Sequence, residues 1–296
     1  MAINKEVWIN QIKENFYPDD SFLQKAVNYD EFVDNDRLHV PISGLDPEVL
    51  VNNTTYPIRT VERTDTDSEI VLDKFETVNT IIRRPEALEY SYNKLESVIE
   101  QHRATLRKSV ATKAIHAYAP EKDTQNTPVI ETTGATVANG NANGRKRLTL
   151  ADILTLKERF DDAEIPLEER YLVLHPKHVS DLLLEDVKLF KEITDIKNGV
   201  PFKFAGFGFF TFAQMPTFAP VDGVLTKIAF DAEPTSNQFA SVAFYAKEVM
   251  RADGEIYMYA NVDDPSERGT IVGFDKRFIA LPIRGKGIGA IVSAIA

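Results

Sequence analysis

The chain has 296 residues, a formal net charge of −11 and no cysteine, with 43% apolar and 27% charged residues. This is globular composition with enough length for one large or two ordinary domains, and it excludes a disulfide framework and thiolate chemistry. The acidic balance argues against wide gripping of nucleic acid, which needs clustered Lys and Arg. No stretch approaches a membrane-spanning apolar run, and the N-terminal MAINKEVWINQIKENF lacks the apolar core of a secretory signal. No membrane partner is expected, and synthesis in a cytosol fits best.

Residues 1–50 read as an arm. Trp8, Ile12 and Phe16 recur at helical spacing, and Asp19, Asp20 and Ser21 can cap a short helix around FLQKAV. RLHVPI and SGLDPEV then read as extended or turn, and a core of their own is not expected here.

Residues 51–82 alternate with period two in YPIRTVERT and EIVLDKFETVNTII, with a turn expected at DTDS. Both faces carry charge, including Arg59, Glu62, Arg63, Glu69, Asp73, Lys74 and Glu76. A two-stranded hairpin is marginal in water, so this one needs a partner surface, and Thr54–Asn79 is expected to add little to the core.

From Ala87 to Tyr118 there is neither Gly nor Pro, room for a helix of about 48 Å at 1.5 Å per residue. Leu88, Tyr92, Leu95, Ile99, His102, Leu106, Val110 and Ala114 form a narrow stripe. Glu86, Glu89, Glu96 and Glu100 fill its first half and Arg103, Arg107, Lys108 and Lys113 its second, which complements the helix dipole. The stripe suits a strut across a sheet better than a coiled coil, because His102 and Ala114 interrupt it.

Residues 120–146 read as a loop and a domain boundary. Thr149 and Asp152 start a capped helix, RYLVLH is a buried-type strand, and Pro176 opens the next helix. FKFAGFGFFTFAQMP reads as β with glycine bends. SVAFYAKEVMRA, an Asp253-Gly254 turn, EIYMYANV, the loop DDPSERG and TIVGFDKRFIALPI read as an antiparallel meander.

No sequence motif of a phosphate loop, zinc protease or nucleophile elbow is found. The glycines of RGKGIGA have no helix after them and read as a bent strand or turn. His175 and His178 could share a metal but have no evident third ligand. Asp65, Asp67, Glu69 and Glu76 imitate a calcium-loop spacing, yet Ile70 stands where glycine is required. No catalytic residue, cofactor or metal is assigned.

This order of arm, polar hairpin, long helix, α/β segment and terminal meander resembles the major capsid proteins of tailed bacteriophages, the Hong Kong 97-like fold. The resemblance covers nearly the whole chain through order and texture rather than a fixed signature. It implies an α+β fold with the arm at 1–50, an extended hairpin loop at 51–82 and a peripheral domain with a spine helix at 83–146. A central axial domain follows at 147–240, and strands of 241–296 return to the peripheral and axial domains.

The function it implies is a structural subunit, not an enzyme, that self-assembles as pentamers and hexamers into an icosahedral shell around double-stranded phage DNA, without sequence-specific binding. Such a protein would be made in the bacterial host cytoplasm and reside in the virion. Because the chain begins almost at its arm, scaffolding from a separate protein, or none, is expected, with portal and decoration proteins as further partners. Trp8, Arg59, Glu62, Arg63 and Lys74 are the expected inter-subunit contacts. Some members join subunits through a Lys–Asn bond promoted by a buried glutamate, and Lys74, Asn261 and Glu267 match that trio by residue type alone. Two alternatives stand beside this reading: an encapsulin-like nanocompartment shell, and a soluble metal-dependent hydrolase using His175 and His178.

Overall fold

A computed structural model of the chain describes residues 16, 21–34, 36–42, 54, 57, 66–83, 94–137, 144–185, 195–197, 200–232 and 238–295. The N-terminal part contributes β1 (Val27–Asn28), β2 (Val33–Asp34) and β3 (Arg37–Ile42). Then come β4 (Thr66–Val71), β5 (Asp73–Glu76), β6 (Thr80–Arg83) and the helix α1 (Lys94–Tyr118). The middle holds β7 (Val129–Glu131), β8 (Thr136–Val137), β9 (Arg145–Lys146), α2 (Leu150–Asp162), β10 (Arg170–Leu174) and α3 (Pro176–Glu185). It continues with β11 (Asp195–Lys197), β12 (Val200–Phe204), β13 (Phe207–Thr211), β14 (Phe218–Val221) and β15 (Val224–Lys227). The last part is β16 (Ala240–Tyr245), β17 (Val249–Asp264), β18 (Gly269–Pro282) and β19 (Ile288–Val292).

Two sheets organise these elements. A seven-stranded sheet runs β11-β12-β13-β10-β16-β19-β7, and a five-stranded one runs β1-β17-β18-β5 with β6 also paired to β18. The central strand β10 is parallel to β13 and antiparallel to β16. Its run of Leu172, Val173 and Leu174 is fully buried, as a strand covered on both faces requires. The helix α2 starts with a complete capping box between Thr149 and Asp152, and Pro176 opens α3 where its missing N–H costs nothing.

The expected strut is present. Ile99, Leu106, Val110 and Ala114 of α1 are at most 3% exposed and share a core with Val272, Phe274 and Phe278 of β18. The stripe is covered by the chain's own sheet, so no coiled-coil partner is needed. His102 fits the stripe because its ring lies 5.3 Å from Phe274 and its Nε2 is 3.0 Å from Thr80 Oγ1. The C-terminal end of α1 also reaches the seven-stranded sheet, where buried Tyr118 lies 5.5 Å from Phe244 of β16, while its hydroxyl donates to the Met250 carbonyl of β17 at 3.0 Å. Lys227 Nζ donates to the terminal carbonyls of His116 and Ala119, at 3.0 and 2.7 Å. That charge faces the negative end of the helix. Residues 87–93 of the expected strut lie outside the described residues.

The arm closes on its own chain. Phe16, Phe22 and Leu23 join the core under α1, and Ser21 caps the short 3₁₀ turn Phe22–Lys25. Trp8 lies outside the described residues.

Several expectations are corrected. The turn expected at DTDS is instead the start of β4, which pairs with β3 from Arg37↔Val71 to Ile42↔Thr66. The expected free loop through residue 82 ends earlier. Residues of β5 pair with Asp275–Phe278, β6 pairs with Gly269–Val272, and Leu72 is only 2% exposed. The stretch 120–146 is not all loop, since Val129–Glu131 pairs in parallel with Ala290–Val292 and so belongs to the seven-stranded sheet.

The expected Asp253-Gly254 turn is a bulge inside one long strand, β17, with its register shifting between Asp253 and Ile256. The bulge exchanges faces. Met250 and Ala252 before it pack with Leu38 and Leu72, while Ile256 and Met258 after it pack under α1. Gly254 is required there, because a Cβ would sit 2.6 Å from Arg277 Cβ.

Candidate assembly surfaces

Alternation along β17 and β18 after the bulge leaves one sheet face to α1 and the other outward. On the outward face Tyr257 stands opposite Asp275 and Tyr259 opposite Gly273. From β5, Lys74 stands opposite Arg277 and Glu76 opposite Asp275. Tyr257 is 46% and Tyr259 58% exposed, whereas Asp275 is 3% exposed. Lys74 Nζ lies 2.5 Å from Glu76 Oε1 and 3.5 Å from Asp275 Oδ2, and these carboxylates hold its pKa above the ordinary lysine value. Of the five expected contact residues, only Lys74 is described. Trp8, Arg59, Glu62 and Arg63 lie outside the described residues.

A cleft of about 740 Å³ lies between β5 and the basic half of α1, lined in part by Asp73, Lys108, Ser109, Lys113, Gln214 and Phe230. Lys113 is 3.6 Å from Asp73 and sits 4.6 Å over the Phe230 ring, so part of the basic half is neutralised within the chain.

The histidines form a structural node. His178 is 0% exposed, and its two ring nitrogens lie 2.7 Å from the hydroxyls of Ser241 and Ser293. This ties α3 to β16 and to the segment after β19. Burial pushes the His178 pKa down to about 3. His175 stacks on Phe239 at 4.6 Å and accepts from the Lys177 backbone N–H, with its pKa lowered by burial to about 4. With both His178 nitrogens engaged by serines, the pair has no geometry for a shared metal. Among the described residues, no group of three or more His, Cys, Asp or Glu is placed to hold one.

The phage capsid protein family model matches residues 86–254, more than half of the chain, a span that contains all of α1 and ends at the bulge of β17. The chain belongs to the phage capsid protein family. Its fold is that of solved capsids and particles. The capsid of cyanophage P-SCSP1u superposes with a TM-score of 0.62 at 16% identity, covering 92% of this chain and 87% of that one. The Ralstonia phage GP4 capsid gives 0.61 at 11% identity, covering 92% and 87%. A virus-like particle from Pyrococcus furiosus gives 0.55 at 11% identity, covering 97% and 98%. No curated protein sequence matches the chain.

As a phage capsid protein the chain is a structural protein of the Hong Kong 97-like, α+β fold. Within one capsid subunit the Lys74, Asn261 and Glu267 trio is not assembled. Lys74 is opposite Arg277 and Asn261 opposite Ile271, about 20 Å apart along β18 at 3.3 Å per residue. Glu267 lies exposed at the β17–β18 tip, where its side chain is 3.5 Å from Arg83. Its side chain is 53% exposed, so it is not the buried glutamate the trio requires. Asn261 instead donates to Asp264 at 2.5 Å.

Two capsid-surface features escape sequence reading. Asp275 looks like any charged strand residue, and its burial depends on Tyr259 and Lys74, which are distant in the chain. The tyrosines leave a trace, since EIYMYANV alternates aromatic and apolar residues in a strand that needs only one buried face.

Proposed function

We propose that this chain is the major subunit of a tailed-phage head, assembling as pentamers and hexamers into a closed icosahedral shell around double-stranded DNA. The observation that carries this reading is the single helix α1. It is buried along a five-stranded sheet, and Tyr118 at its far end packs on Phe244 of the seven-stranded one. A beam joining two sheets gives a subunit the reach and stiffness a thin shell requires. Individually weak contacts suffice, because closed symmetry repeats each one around every ring.

The formal charge of −11 suits a container. An acidic wall does not hold the phosphate backbone, so DNA can enter and leave. A separate scaffolding protein, a portal and decoration proteins are the partners of this reading, with synthesis in the bacterial host cytoplasm and residence in the virion.

Negative-stain microscopy of the expressed protein, alone and with a co-expressed scaffold, tests it. Closed shells or ring-shaped capsomers are expected, and a stable monomer in both preparations would overturn the reading. The Pyrococcus furiosus particle matches over nearly the whole of both chains, which keeps a protein-filled nanocompartment as the second reading. Nuclease-resistant DNA in native particles supports the head, and a co-purifying enzyme inside them supports the compartment.

A further inference from the structure

The stripe by which α1 rests on the five-stranded sheet contains an imidazole. His102 is 7% exposed and lies between Ile99 and Leu106, at 3% and 2%. Its ring is 5.3 Å from that of Phe274 on β18, and its Nε2 is 3.0 Å from Thr80 Oγ1 on β6. A leucine would fill this place with no electrostatic liability, whereas an imidazole makes the seat of the helix depend on protonation.

The charges around it are already matched. On α1 itself, Glu100 pairs with Arg103. Alternation puts Lys276 on the helix side of β18, where it pairs with Asp253, and puts Asp275 on the opposite face. On β5 Asp73 lies 3.6 Å from Lys113, and on β6 Arg83 lies 3.5 Å from Glu267 at the β17–β18 tip. None of these carboxylates is left to receive an imidazolium. Burial lowers the His102 pKa from its ordinary 6.5.

The two halves of α1 are fastened differently. Beyond Val110, Thr112 donates to Gln214 at 2.6 Å, His116 Nε2 lies 2.8 Å from the Ile228 carbonyl, and Lys227 and Tyr118 make the bonds described above. In the first half, Val98 and Ile99 are buried in the apolar core and His102 meets Thr80.

We propose that His102 is a proton-operated latch: neutral, it holds the first half of α1 on the sheet, and protonated, it releases that half while the helix pivots on its fastened C-terminal end. The closed helix refuses a proton that the opened one accepts near pH 6.5. The latch is therefore fully engaged above that pH and weakens as pH falls toward the folded value, the opening constant rising by up to about tenfold per pH unit. Such local opening loosens the beam without unfolding either sheet. It is a property of the subunit and does not depend on shell formation.

Hydrogen exchange of the full chain, corrected for the intrinsic effect of pH on exchange, tests this by comparing peptides from residues 94–106 with peptides from 107–118 at pH 7.5 and pH 5. Acid weakening of the whole fold, to which buried His175 and His178 contribute, would speed both groups alike. The latch instead predicts that the first group loses about fivefold more protection than the second, or more. His102→Leu keeps the stripe apolar, and His102→Gln keeps a partner for Thr80 without a titrating ring. In both variants the excess should vanish, with exchange in 107–118 as in the wild type. Equal acid effects on the two groups in the wild type overturn the latch, and so does an excess that persists in either variant.

Discussion

Arg284 donates to the buried carboxylate of Glu248 through Nε at 3.2 Å and through a terminal nitrogen at 2.8 Å. Glu248 is 3% exposed and sits in the crossover from β16 to β17, whereas Arg284 sits in the crossover from β18 to β19. These are the two places where the C-terminal chain passes between the sheets. Arg284→Ala leaves that carboxylate buried without its cation, and it is expected to cost about 1–3 kcal/mol in denaturant unfolding of the subunit. Double replacement, Glu248→Gln with Arg284→Gln, should recover part of the loss. An unchanged unfolding midpoint in Arg284→Ala would show that solvent compensates the exposed arginine.

The segment that can be removed without unfolding the subunit is shorter than polarity suggests. Leu72 is 2% exposed in the Leu38 cluster, and Phe75 packs against the core beneath α1. Replacing residues 54–65 by a Gly/Ser linker should therefore leave a folded subunit that fails to assemble. Extending the replacement to residue 79 should destabilise it by several kcal/mol, since two large apolar side chains are lost with β4 and β5. Far-UV circular dichroism and melting of the two deletions separate these outcomes, and equal stability would contradict the packing described for β4 and β5.

Stability should fall on acidification before carboxylates titrate. The pKa values of His178 and His175 drop from the ordinary 6.5 to about 3 and about 4 in the folded chain, because burial disfavours the charged form. The unfolded state therefore takes up protons near pH 6.5 that the folded state refuses. The contribution of neutral burial is fully present above that pH and is lost as pH falls toward the folded values. The slope approaches about 1.4 kcal/mol per pH unit for each histidine. Subunit unfolding followed between pH 7 and 4.5 should show this decline, and His178→Gln should flatten it even if it lowers stability at pH 7. A wild-type profile flat over that range would mean the histidines are reached by solvent.

Charge reversal should test the expected inter-subunit contact. Arg59→Glu with Arg63→Glu is expected to prevent shell formation at low ionic strength with little change in subunit melting. A single exposed pair contributes only about 0.2–1 kcal/mol, but reversal introduces repulsion at every copy of the contact. Raising salt should restore part of the yield, because screening acts over about 10 Å at 0.1 M. Shell yield against salt, with melting as control, is the measurement. Normal shells at low salt would place the assembly contact on other residues.

Features that depend on near neighbours are legible in the residue order. The stripe from Ile99 to Ala114, the capping box at Thr149 and the Pro176 helix start are set by spacing within a few residues, and each is found where spacing puts it. The succession of such elements was enough to suggest the family. Tertiary structure decided whatever depends on a distant partner. Period-two alternation in residues 66–71 does not say that β3 will lie beside them. Val129–Glu131 becomes a sheet strand only because Ala290–Val292 arrives next to it. Asp253-Gly254 suits a turn or a bulge equally in local terms, and the continuous pairing with β18 selects the bulge. Asp275 is buried by side chains from other strands, so its burial is a property of the assembled sheet: a pairing register spans the whole chain, whereas a periodicity reports only which side of one strand a residue faces.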